Sequence, residues 1–159
     1  MNIKKSIQIN ASIEQVFDYI NDIRNHARFT AKSKDLKLLS HQFEGLGTKY
    51  IEKTKWMGMS IKNHLEITKC IPNQLIEVST ILGPINIKHR IHFNKLSPLT
   101  EVTWSQDIDF KGMYMAMRPF MVSKVKNQLK QDLEHLKDVL DNSSALITMI
   151  TQPNAKFWL

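Results

Sequence analysis

The 159-residue chain lacks several features that would assign it to a specialised class of protein. Its one cysteine, Cys70, permits no internal disulfide and is too few for a cysteine metal site. No apolar run approaches the ~20 residues of a membrane-spanning helix. The N-terminus carries Lys4 and Lys5 but not the continuous apolar segment of a signal peptide. These absences predict a cytoplasmic protein that folds without disulfides.

Motifs for catalysis or cofactor binding are also missing. No local spacing matches a Ser-His-Asp, Cys-His or paired-carboxylate arrangement, and there is no glycine-rich phosphate loop. The six histidines are dispersed, with no His-x-x-x-His pair or carboxylate cluster beside them. The sequence therefore predicts neither a metal nor a cofactor. If the protein is an enzyme, His89 is the candidate general acid or base and Glu52 its charge partner.

The formal net charge of +7 comes from scattered basic residues rather than from a run of them. Once the predicted strands are given two faces by their period of two, many of these residues share the face opposite the apolar one. They are Lys49, Lys53, Lys55, Lys62, His64, Lys88, Arg90 and His92. This predicts a basic outer sheet face that could attract an anionic membrane surface or an acidic partner. The tryptophans are not interleaved with these positions, so no nucleic-acid partner is expected.

Hydrophobic periodicity predicts one domain built from strands and helices. Alternation of apolar and polar residues indicates strands over 3–9, 36–39, 48–56, 59–68, 75–81, 85–93 and 100–110. Ser12 is the expected N-cap of the first of two short helices between the first two strands. A long helix is expected from near Pro119 to about Leu140. Its apolar stripe consists of Val122, Val125, Leu129, Leu133, Leu136 and Leu140.

Short motifs in a fixed order carry a family resemblance. They are Ala11 to Phe17, Gly47 to Glu52, Met57 to Met59, Ile71 to Asn73, Gly83-Pro84, Thr100 to Thr103 and Asp132 to Lys137. With them, about residues 3–141 resemble the helix-grip proteins of the SRPBCC (START/Bet v1-like) superfamily, in its polyketide cyclase/dehydrase and lipid-transport-like branch. The resemblance implies an α+β fold in residues 1–142, with a curved seven-stranded antiparallel sheet around a long C-terminal helix. It also implies an apolar cavity between sheet and helix.

Four inward-facing strand rows each contain one polar residue, and these four are Glu52, Asn63, His89 and Gln106. Such residues either hydrogen-bond to one another or to water inside a core, or act as the few polar groups of a ligand pocket. The expected ligand-binding residues are these four together with Tyr50, Trp104, Met113, Met117 and Phe120. The expected pocket volume is at least about 300 Å³.

Three functions remain open. The first is binding of a hydrophobic small molecule or lipid in the cavity, as a carrier, sensor or sequestering module. The second is a cyclase or dehydratase acting on a polyketide-like or aromatic substrate. Related cyclases place an arginine in the pocket, whereas Arg90 falls on the outward side of its strand. The third is a protein-interaction module similar to the chaperone-activating members of the superfamily.

Residues 143–159 lie beyond the resemblance. Asn142-Ser143-Ser144 is expected to interrupt the long helix, and the segment that follows is rich in leucine, isoleucine and aromatic residues. Because large apolar side chains gain roughly 1.5–3 kcal/mol each on burial, we expect this tail to dock. Its partner is either the domain itself or a second copy in a homodimer.

Overall fold

The computed structural model describes residues 1–30, 34–56 and 58–151, excluding the side chains of Lys34, Trp56, Met59, Met117 and residues 145–151. The strands are β1 (Asn2–Ile9), β2 (Lys34–Leu38), β3 (Lys49–Trp56), β4 (Met59–Ile71), β5 (Leu75–Leu82), β6 (Ile85–Leu96) and β7 (Leu99–Phe110). The helices are α1 (Ile13–Asn21), α2 (His26–Phe29) and α3 (Arg118–Thr151). Short 3₁₀ segments, Ile23–Asn25 and Gly112–Met117, precede α2 and α3.

The strands form one seven-stranded antiparallel sheet in the order β1-β7-β6-β5-β4-β3-β2. Neighbours from β2 to β7 are consecutive along the chain, whereas β1 pairs with β7, with Ile9 opposite Thr100. Tight turns place the ends of β3, β5 and β7 at one end of the sheet, where Ile85 lies opposite Phe110. The predicted helix-grip architecture is confirmed.

Local signals explain where the helices begin. The Ser12 side chain accepts a hydrogen bond from the Gln15 backbone, and the Gln15 side chain accepts one from the Ser12 backbone, which completes a capping box. Helix α3 begins at Arg118, which places Pro119 in the first turn, where its missing N–H costs no hydrogen bond. Both starts agree with the sequence predictions.

The predicted break at Asn142-Ser143-Ser144 is wrong, because α3 continues through these residues to Thr151. The Ser143 hydroxyl donates a 2.8 Å hydrogen bond to the carbonyl of Val139, one turn earlier. A serine in this arrangement satisfies its hydroxyl without leaving the helix. The docking predicted for the tail concerns residues 152–159 and side chains 145–151, which lie outside the described residues.

The main core lies between the sheet, α1 and the middle of α3. The predicted stripe residues Leu129, Leu133, Leu136 and Leu140 are all buried there. At the start of α3 the prediction is out of phase, because Met121 is buried while Val122 is exposed. The helix therefore meets the sheet one position earlier than the apolar spacing indicates.

The outer sheet face is less basic than the sequence pattern suggests. Glu77 forms ion pairs with Lys88 at 2.8 Å and Arg90 at 3.3 Å, and Arg90 also pairs with Asp107. Burial by itself raises the pKa of Glu77, but Lys88 and Arg90 outweigh it and the pKa is lowered. Hydrogen bonds from Asn2 and Arg90 lower the pKa of Asp107. Acidic partners therefore neutralise the β5–β7 side of this face.

Candidate functional site

A cavity of about 160 Å³ lies between the sheet and the first half of α3. Apolar side chains from three strands and the helix form most of its wall, including Ile61, Ile85, Ile87, Ile108, Phe110 and Met121. Alternation along β4, β6 and β7 turns every second side chain toward this space. The result is an apolar compartment that adjoins the main core at Leu129.

The volume is smaller than the predicted 300 Å³, and the packing explains why. Ile61, Ile85, Ile108, Phe110 and Met121 are all buried and form a cluster of their own beside the space. Sequence patterns identify which residues face inward but do not give the volume left between them. An engineered apolar cavity of about 150 Å³ accepts benzene, so this space suits a molecule of similar size.

All four polar residues that interrupt the inward rows line the cavity. Glu52 on β3 lies opposite Asn63 on β4, and His89 on β6 lies opposite Gln106 on β7. The Glu52 carboxylate accepts a 3.3 Å hydrogen bond from the Thr54 hydroxyl. The four therefore approach the cavity as two cross-strand pairs on separate parts of the sheet.

The two amides are the most unusual members of this set. Asn63 is 3% exposed and Gln106 is 5% exposed, and neither side chain hydrogen-bonds to another described residue. The Asn63 amide oxygen also lies close to Gly83, where an added Cβ would approach it to 2.1 Å. Buried amides nearly always find a partner, and leaving one without costs about 1–3 kcal/mol. The cavity is the space from which such a partner can come.

His89 is held in one orientation by Trp104. The Trp104 indole nitrogen donates a 3.1 Å hydrogen bond to His89 Nδ1, and the two rings meet edge to face at 5.9 Å. Because the indole can only donate, Nδ1 must accept, and a neutral His89 therefore carries its proton on Nε2. This contact gives the imidazole a defined tautomer.

Helix α3 contributes three polar residues that the sequence analysis did not identify, namely Lys124, Gln128 and Asp132. Gln128 donates a 2.8 Å hydrogen bond to the carboxylate of Asp132, which is buried. A signal was present, because Met121, Val125, Gln128 and Asp132 continue one helical face at spacings of four, three and four. The sequence analysis assigns only apolar residues to the inward stripe of this helix, so it does not consider these polar positions.

The remaining predicted site residues lie elsewhere. Tyr50 and Trp104 are buried in the main core rather than in the cavity wall. Burial and the charge of Glu52 raise the pKa of Tyr50 well above its ordinary value, so the phenol stays neutral. Met113 and Phe120 are 76% and 75% exposed, on the outer surface of the protein. The side chain of Met117 lies outside the described residues.

Within the described parts of the chain, no group of three or more histidine, cysteine, aspartate or glutamate side chains could hold a metal ion. Over the same described residues, no helix combines the length and apolarity needed to cross a membrane.

Comparison with known proteins finds both a sequence family and structural neighbours. The sequence model described as polyketide cyclase / dehydrase and lipid transport matches residues 1–141. A protein from Thermus thermophilus superposes with a TM-score of 0.78 at 14% identity, covering 91% of this chain and 99% of that one. A conserved protein from Geobacillus kaustophilus superposes with a TM-score of 0.71 at 16% identity, covering 90% of this chain and 97% of that one. A START superfamily protein from Mycobacterium smegmatis superposes with a TM-score of 0.65 at 17% identity, covering 92% of this chain and 98% of that one. No curated protein sequence matches.

Proposed function

Because the chain belongs to the polyketide cyclase / dehydrase and lipid transport family, we propose that its cavity binds a compact hydrophobic molecule that carries one polar group. The protein then acts as a carrier, sensor or sequestering module for that molecule. Glu52, Asn63, His89 and Gln106 are the ligand-contacting polar residues from the sheet, and Gln128 and Asp132 those from α3.

The observation that carries this proposal is the pair of buried amides, Asn63 and Gln106, beside an apolar-walled space. An amide offers both donors and an acceptor, so it can pair with a hydroxyl or a carbonyl alike. A ligand that presents such a group recovers hydrogen bonds that the described residues leave unmade, while its apolar part fills the remaining volume. Water can occupy the same positions in the absence of ligand.

The volume limits the size of the ligand. Pockets for drug-sized molecules typically span about 300–1,000 Å³, well above the 160 Å³ found here. A single aromatic ring or a short branched chain fits the space as it stands. A long-chain lipid fits only if the first turns of α3 move away from the sheet.

The proposal is tested with p-cresol and toluene, two probes of nearly the same shape that differ by one hydroxyl. Their affinities are measured by titration of backbone amide signals in two-dimensional NMR. The wild-type protein is expected to bind p-cresol about five- to tenfold more tightly, because the hydroxyl gains an amide partner. In the Asn63→Leu/Gln106→Leu double variant the hydroxyl is buried without that partner, so toluene is expected to become the tighter probe.

Gln8→Leu, which alters an exposed glutamine of β1, is the matched control and should keep the wild-type preference. Filling the cavity with Val125→Phe should abolish binding of both probes. If neither probe binds the folded wild-type protein, or if the double variant keeps the preference for p-cresol, the cavity is not the ligand site we propose. Native mass spectrometry of protein purified from its own host provides an independent search for a retained small molecule.

A further inference from the structure

The segment from Lys111 to Lys126, here called the entry segment, combines exposed apolar side chains with unbalanced positive charge. It contains four basic residues and no acidic one. Among the described residues, Lys111, Arg118 and Lys126 form no ion pair. Its large exposed apolar side chains, among those that the structure describes, are Met113, Met115, Phe120 and Val122. In the rest of α3 up to Asp141, four acidic residues outnumber two lysines, so the positive charge is confined to the start of the helix.

Neighbouring turns extend the same surface. Ile81 and Leu82, at the end of β5, are exposed beside the point where β7 leads into the entry segment. On the outer sheet face, Lys53 and Lys62 lie directly opposite each other near the β3–β4 turn. Like charges placed in this way repel, and among the described residues no acidic side chain forms an ion pair with either of them. This part of the outer face keeps the basic character that its β5–β7 side has lost to ion pairs.

The entry segment also forms part of the cavity wall. Met121, Lys124 and Val125 line the cavity from the helix, and the exposed Lys55 lines it from the end of β3. Lys55 and Lys124 are both exposed, so the cavity wall reaches the protein surface at the entry segment, which also carries the exposed apolar side chains.

We propose that this end of the protein docks on an anionic lipid bilayer, with Met113, Met115 and Phe120 inserted among the acyl chains and the basic residues at the headgroups. Exposed apolar groups flanked by lysine and arginine are the combination that binds an anionic interface. A second copy of the chain fits this surface poorly, because a symmetric contact would bring two entry segments of the same charge together. Docking in this orientation faces the cavity toward the lipid phase, from which an apolar ligand enters without crossing water.

The test is flotation of the full chain with vesicles of phosphatidylcholine alone or of phosphatidylcholine and phosphatidylglycerol in equal parts. We expect binding to the anionic vesicles, weak binding to the neutral ones and a loss of affinity as salt is raised. In Phe120→Ser/Lys126→Gln, removal of the charge alone is expected to weaken binding about fivefold, and loss of the inserted ring should weaken it further.

The matched control is Leu96→Ser/Lys95→Gln, which makes the same kinds of change at the opposite end of the sheet and should bind like the wild type. Equal binding to both vesicle types, or equal weakening in both double variants, would overturn the proposal. So would a wild-type dimer in light scattering that Phe120→Ser/Lys126→Gln converts to a monomer, because a second copy would then cover this surface. Binding of p-cresol by the same variants reports the cavity separately, so failure of docking and failure of the proposed function can be distinguished.

Discussion

One sheet and one helix enclose two very different spaces in this protein. At one end, Phe17 meets Phe93 edge to face at 5.2 Å, and Val102, Leu133 and Leu136 belong to the same buried cluster. At the other end the same layers leave a cavity with polar residues in its wall. Helices α1 and α2 contribute to the packed end by contacting β6, β7, β2 and α3. The difference indicates that the packed end supplies most of the stability, which allows the other end to retain a cavity and two amides without a described partner.

The largest effect is expected from shortening a side chain in the packed end. Leu136 is fully buried, so Leu136→Ala should lower the free energy of unfolding by about 3–5 kcal/mol. Met121→Ala, in the same helix but beside the cavity, should cost no more than about 2 kcal/mol because fewer contacts are lost. Urea unfolding of both variants gives the comparison. Equal losses would mean that the two ends are packed alike.

A second prediction concerns the close approach of Gly83 to Asn63 in the cavity wall. In Gly83→Ala the new Cβ would collide with the Asn63 amide oxygen, and the backbone φ of +155° already disfavours a side chain. We expect a loss of about 2 kcal/mol or more in the free energy of unfolding. Adding Asn63→Ala removes the nearest colliding atoms and should recover part of this loss. No recovery in the double variant would place the strain in the backbone alone.

Two glutamines in the cavity wall should respond with opposite signs. Gln106→Leu replaces an amide that has no described partner, so the ligand-free protein should keep its stability or gain about 1 kcal/mol. Gln128→Leu removes the 2.8 Å hydrogen bond to buried Asp132 and should cost about 1 kcal/mol. Thermal unfolding monitored by circular dichroism shows whether each variant gains or loses stability. A clear loss in Gln106→Leu would show that this amide has a structural partner.

The smallest effects separate a helix cap from a helix interior. Ser12→Ala removes the capping box and should cost about 1 kcal/mol. Ser143→Ala, within α3, should raise stability by a few tenths of a kcal/mol, because alanine is the better helix former. If Ser143→Ala instead destabilises the protein by as much as Ser12→Ala, Ser143 caps a helix end. The helix would then be interrupted at this point, as the sequence predicts.

The strands, and the face of the sheet on which each of their residues lies, could be predicted from the sequence. Alternation with a period of two identified all seven strands and assigned Glu52, Asn63, His89 and Gln106 to the inward face. These predictions succeed because a strand has only two faces, and a shift of one residue would expose the whole apolar row.

Features that depend on how layers meet could not be predicted in the same way. Val122 and Met121 are adjacent apolar residues, and only contact with the sheet decides which of them is buried. Asp132 is buried on the helix although its charge suggests exposure, because Gln128 and the cavity wall surround it. The cavity volume depends on the packing of many side chains at once, and no local pattern encodes that packing.

The pairing of β1 with β7 has a consequence for how the protein is made. Every other strand pair forms between neighbours in the chain. Ile9 on β1, however, can pair with Thr100 only after the intervening strands have been synthesised. At synthesis rates of about 5–20 residues per second, the first strand leaves the ribosome roughly 5–20 s before its partner exists. During that interval Ile3, Ile7 and Ile9 have no partner strand, and β6 is the open edge of the sheet until β7 pairs with it. The nascent chain is therefore most exposed to misassociation just before its last strand is translated.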